Sequence, residues 1–106
     1  MTDVTHTPWP HDHPPTEAEL RQLMQAEGLK PARWTNASGD RYIVHSHDYH
    51  KVVYCIEGGI WFTITDKGDQ TIELEPGDRI DIPPGTRHGA MAGPEGVSCL
   101  EGHREG

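Results

Sequence analysis

Residues 70–83, QTIELEPGDRIDIP, decide how this chain folds. In TIELE, Ile72 and Leu74 alternate with Thr71, Glu73 and Glu75; in RIDI, Ile80 and Ile82 alternate with Arg79 and Asp81. A strand points successive side chains to opposite faces, so each run has one dry face and one wet face. Pro76-Gly77-Asp78 supplies the turn between them. Comparable runs stand on either side: RYIVHSH (41–47), KVVYCIE (51–57), IWFTITD (60–66) and GVSCLEGH (96–103). They are separated by Gly, Pro and Asp and not by any helical period, which predicts an all-β antiparallel sandwich or barrel.

Ahead of these runs the pattern differs. Residues 1–15, MTDVTHTPWPHDHPP, carry four prolines and no periodicity, and read as an extended or disordered arm. Thr16 and Glu19 form a capping box, and Leu20, Leu23 and Met24 mark an apolar stripe until Gly28 and Pro31 end it. One N-terminal helix is expected at about 16–27, too short to be stable alone. The expected organisation is therefore an arm at 1–15 and a single domain at 16–106, with the β part beginning at about residue 39. Of eighteen Leu, Ile, Val and Phe, only Val4, Leu20, Leu23 and Leu29 precede residue 40, which places the expected core after it.

Nine Lys and Arg against seventeen Asp and Glu give a formal charge of −8, which argues against a phosphate-backbone partner. No apolar run approaches the ~18 residues needed to cross a bilayer, so no membrane role is expected. Two cysteines are too few for a disulfide scaffold and no charged-then-apolar leader stands at the start, so a cytoplasmic setting is expected.

Eight histidines are many for 106 residues. His45 and His47 stand two apart in an expected strand and so share a face, and His88 follows a strand and turn that can return a third imidazole to that face. Imidazole suits Zn²⁺, Fe²⁺, Ni²⁺ and Cu²⁺. A His-x-His pair alone is more often a pair of surface or hydrogen-bonded histidines than a ligand pair.

Over about residues 39–92 the chain resembles the cupin family. The pattern G-x5-H-x-H-x3-E-x6-G falls on Gly39, His45, His47, Lys51 and Gly58; G-x5-P-x-G-x2-H-x3-N falls on Gly77, Pro83, Gly85, His88 and Ala92. Eight of the ten positions agree and every spacing is kept. The resemblance implies a small jelly-roll β-barrel with one divalent transition metal, Fe, Zn, Ni or Mn, held by His45, His47 and His88. Two positions depart from the pattern: Lys51 replaces the glutamate and Ala92 the asparagine. A protonated lysine cannot ligate a cation and is repelled by one. Lys51 therefore turns to an acid such as Glu57 or Glu101, or loses its proton and acts as a base, or the site holds no metal.

Other candidates follow from strand parity. Cys55 shares parity with Lys51 and is read as a pocket-lining thiol or a buried apolar residue. Cys99, Glu101 and His103 share one face of the last expected strand, with Glu101 a candidate for the pocket wall and Cys99 for packing. His50 points away from the site if Lys51 points in, and His11 and His13 in the arm read as bystanders. Trp34, Tyr42, Trp61 and Phe62 belong to a pocket wall, a core or an interface between copies. The expected function is a metal-binding cupin acting on a small molecule, as a non-haem dioxygenase or a Lewis-acid isomerase or lyase, with Lys51 a catalytic candidate. The alternative is a non-catalytic module that binds a carboxylate through Lys51. A homodimer is expected, since edge strands need cover.

Overall fold

A computed structural model describes residues 3–105. Residues 1 and 2 of the expected arm and residue 106 of the expected domain lie outside the described residues. The order is β1 (Thr5–Thr7), α1 (Glu17–Ala26), β2 (Ala32–Asn36), β3 (Arg41–His45), β4 (Tyr49–Ile64), a 3-10 turn (Thr65–Lys67), β5 (Gln70–Leu74), β6 (Arg79–Ile82) and β7 (His88–Glu105). Among the described residues the chain is mostly β with one α-helix.

The helix begins as its capping box dictates. The Glu19 backbone N–H donates to Thr16 Oγ1 at 3.2 Å, and the Thr16 N–H donates back to Glu19 Oε1 at 3.0 Å. Leu20 and Met24 are buried, while Leu23 of the expected stripe is 43% exposed. Leu20, Met24 and Leu29 pack on Val52, Tyr54 and Leu100, which face outward from β4 and β7. Because the helix covers that face, Val52, Val53, Tyr54 and Cys55 are buried in succession and no alternation is visible there. Residues before position 40 thus contribute a second buried cluster, a correction to the expectation that the core lies wholly after it.

Two long strands form the spine. β4 and β7 pair antiparallel from Tyr49 opposite Glu105 to Ile64 opposite His88, with register shifts between Cys55 and Glu57 and between Gly58 and Ile60. The segments KVVYCIE and IWFTITD, expected as separate strands, are continuous across these bulges, which bend a strand without ending it. The first half of β4 also pairs with β6 and its second half with β5. β7 pairs with β3 near its start and with β2 further on. One cluster, which includes Val53, Ile60, Phe62, Ile64, Leu74, Ile80 and Ile82, joins the halves through side chains.

The expected closed jelly-roll β-barrel is not formed. The sheet runs β1-β6-β4-β7-β2, with β3 attached only to β7 and β5 only to β4. Among the described residues no ladder joins these outer strands to one another, so the sheet stays open. Closure needs hydrogen bonds between edges, whereas here the halves meet through apolar side chains. The edge β1 is three residues long, fixed to β6 and braced where His6 Nε2 (3.2 Å) and the Trp9 N–H (3.0 Å) meet the Asp78 carboxylate. No helix among the described residues is long and apolar enough to cross a membrane.

Candidate metal centre

His45 is the last residue of β3 and pairs directly with His88, the first residue of β7. His47 lies beyond β3, in the link to β4, where its carbonyl accepts the Gly85 N–H at 2.7 Å. Strand period alone therefore does not bring His47 to the site; this tie between the two connecting segments does part of it. Ring centroids are 4.6 Å apart for His45 and His47, 4.6 Å for His45 and His88, and 5.4 Å for His47 and His88. One ligand atom from each can be chosen so that all lie within 4.8 Å of one another. A clustered three-histidine site compatible with metal binding is thus present.

The donor atoms are also in the right state. A carbonyl oxygen only accepts, so the contacts from His45 Nδ1 to the Ile43 carbonyl (2.6 Å) and from His88 Nδ1 to the Thr86 carbonyl (2.9 Å) put a proton on each Nδ1. Such backbone anchoring of the far nitrogen is what orients imidazoles on metals. The Nε2 atoms of His47 and His88 are buried without a hydrogen-bond partner. Buried polar atoms are rarely left so, and a cation is the partner that a set of imidazole lone pairs fits. Burial, against the hydrogen bond to Thr86, pushes His88 down to about 4, with the positive charge of Lys51 adding to the fall. His47 is lowered by burial and then by Lys51. Both are neutral at neutral pH, the form that binds metal.

Beside the histidines a cavity of about 360 Å³ is lined by Trp34, Tyr42, Tyr49, Lys51, Phe62, Ala90 and Glu101. Lys51 Nζ lies 3.3 Å from Glu101 Oε1, so Lys51 has met an acid and still faces the cavity. Glu101 is further held by Trp34 Nε1 (3.1 Å) and His103 Nε2 (2.6 Å). Burial alone would raise the Glu101 carboxyl, but His103 and Lys51 bring it below the usual carboxylate range. The Tyr49 ring stacks on His47 at 4.7 Å and on His103 at 3.9 Å. Tyr49 escaped the sequence reading, although it shares parity with Lys51 two residues on.

The remaining candidates lie elsewhere. Cys55 and Cys99 are free, buried and directly opposite each other in the core, and Cys55 does not line the cavity. His50, expected to point away from the site, does so and bonds Asp81 at 2.8 Å on the far side of β4. His11 and His13 stack at 5.4 Å in the arm, with His13 bonded to Glu19. Trp34, Tyr42 and Phe62 line the cavity, and Trp61 lines a separate groove with Arg41, Val44 and Met91.

A family profile described as a cupin domain matches residues 26–101, which contain all three clustered histidines together with Lys51 and Glu101. The chain belongs to the cupin superfamily. Among solved cupin-like structures, an RmlC-like cupin from Shewanella frigidimarina NCIMB 400 is 24% identical and superimposes with a TM-score of 0.63, covering 74% of this chain and 67% of that one. A DUF861 family protein from Thermotoga maritima, 20% identical with a TM-score of 0.62, covers 96% of this cupin and 100% of its own chain. Quercetin 2,3-dioxygenase of Bacillus subtilis (strain 168) is 43% identical over 51 residues, which make up 47% of this chain and 14% of that enzyme. The cupin thus matches only a small part of the length of this curated relative.

Proposed function

We propose that this cupin is a single-metal enzyme for a small organic substrate, with His45, His47 and His88 as the protein ligands of one divalent transition metal. The observation that carries the proposal is the pair of buried, unpartnered Nε2 atoms beside a cavity, on imidazoles kept neutral by burial. Three protein ligands leave coordination positions for substrate, as is common at catalytic metals. A metal there supplies Lewis acidity or, as iron, oxygen chemistry. The segment shared with a quercetin dioxygenase supports dioxygenation as the reaction class.

The chain's own residues have separate tasks. Trp34, Tyr42, Tyr49 and Phe62 exclude water and hold a flat ligand against the histidines. Glu101 holds the Lys51 ammonium, so that it does not stand uncompensated near a divalent ion. The Ile43 and Thr86 carbonyls keep His45 and His88 turned with Nε2 available. Metal analysis of protein purified without a histidine tag tests the reading. About one first-row metal per chain in the wild type, lost in His47→Ala, is the expected result; a metal-free wild type would overturn it and leave a metal-independent binding module.

A further inference from the structure

We propose that the cavity selects a flat organic carboxylate, that Lys51 is the residue that recognises its charge, and that Glu101 is the positioning residue that aims Lys51. The inference rests on the cavity described above as the substrate site and adds the substrate's charge.

Three features of the lining lead to it. Lys51 and Glu101 lie on neighbouring strands, two rungs apart on a diagonal of one face, since Lys51 is opposite His103 and Val53 opposite Glu101. Glu101 does not depend on Lys51 for its place: Trp34 and His103 fix both of its oxygens, the latter at 2.6 Å. Lys51 is held more loosely, at 3.3 Å, where a charge-assisted contact is usually about 2.7–2.9 Å. An ammonium has three donors, and Glu101 is the only ion-pair partner of Lys51 among the described residues, so donors remain for a ligand in the cavity.

Charge balance points the same way. Lys51 and Glu101 cancel, so any divalent ion on the histidines leaves the lining positive. A carboxylate lowers that positive charge in a site that is poorly screened by water, and a neutral ligand does not. The shape specifies the rest of the ligand. The Trp34 and Tyr42 rings meet edge to face at 5.8 Å and stand with Phe62 among the lining residues. Aromatic faces so placed suit a planar body whose acid group reaches Lys51.

Calorimetric titration of the untagged full chain with benzoate and with its neutral isostere benzamide tests this, with metal content measured on the same samples. The wild type is expected to bind benzoate in preference to benzamide. Lys51→Met should weaken benzoate by about 10- to 100-fold, the loss of one hydrogen bond to a charged group, while benzamide affinity and metal content hold. Lys51→Arg, which keeps the charge, should restore the preference, and Lys51→Gln replaces the Met variant if that one fails to fold. A benzoate-to-benzamide ratio unchanged in Lys51→Met, or a wild type that binds neither probe or both equally, would overturn the role of Lys51. A wild type that lacks metal but loses benzoate preference in Lys51→Met would overturn the enzyme reading alone and uphold the carboxylate site.

Discussion

Gly58→Ala is expected to be among the most damaging small substitutions in this chain, because the bend in β4 leaves no room for a methyl group. A Cβ at Gly58 would lie 2.1 Å from the Gly96 carbonyl oxygen, 2.9 Å from the Gly96 carbonyl carbon and 3.0 Å from Val97 Cα. All three are backbone atoms of β7, so none can swing aside as a side chain would. Gly58 also has φ +77°, a region that costs an L-residue about 1–2 kcal/mol. Overpacking adds about 1–3 kcal/mol, for a total of about 2–5 kcal/mol against a typical domain stability of about 5–15 kcal/mol. Gly39→Ala is the matched control: φ there is +76°, but nothing lies within 4 Å of the added carbon. It should cost only the backbone strain. Urea unfolding followed by circular dichroism measures both, and with a slope of about 1–3 kcal/mol per molar the two midpoints should differ by roughly 0.3–3 M. Equal destabilisation in the two variants would refute the claim that β7 backbone fills the inside of the bend.

Four further outcomes are expected. His88→Ala should abolish metal retention, whereas His50→Ala should keep the metal and lose about 1 kcal/mol with its bond to Asp81; equal metal loss in both would contradict the placement of these side chains. Asp81 is partly buried, which alone would raise its carboxyl, yet hydrogen bonds from Arg79 and His50 lower it; Glu27 is lowered chiefly by Arg79. Depressed carboxyls stabilise the fold above their ordinary range, and that contribution drains away as pH falls below about 4, so thermal midpoints should drop there and Asp81→Asn should flatten the decline. A pH profile of Asp81→Asn parallel to that of the wild type would count against the network. Light scattering at micromolar concentration should give a dimer of the 11.8 kDa chain, and Ile43→Lys, at a side chain 85% exposed on β3, should weaken it; a monomeric wild type ends that expectation.

The elements that the sequence displays most openly are those whose environment has a single cause. Ile72 and Leu74 are buried between exposed Thr71, Glu73 and Glu75 because only one face of β5 is covered. Thr16 and Glu19 mark the helix start because capping is local chemistry. The three histidines were legible through their spacing to glycines and prolines. What stayed hidden depends on distant partners. β2, ARWTN, has no clear alternation and exists through its ladder with Val97–Glu101. Leu20 and Met24 looked peripheral until the outward face of β4 and β7 supplied something to cover. Whether the sheet closes is settled by which edges meet, and no residue pattern within a strand records that. Lys51 broke the family pattern, and of the two acids named for it, Glu57 and Glu101, only the pairing of distant strands shows that Glu101 takes its charge.

The pairing of β4 with β7 also sets an order of assembly. Its near end, Ile64 opposite His88, encloses only β5, β6 and their turns, while its far end, Tyr49 opposite Glu105, encloses just over half the chain. Closing the shorter excursion sacrifices less chain entropy, so zipping is favoured from His88 toward Glu105. In that sequence the rung bearing His88 forms early, with β3 then able to bring His45 alongside, and the rungs bearing Glu101 and His103 form late. During refolding, cobalt or zinc capture by the histidines should therefore precede the quenching of Trp34 as Glu101 docks beside it.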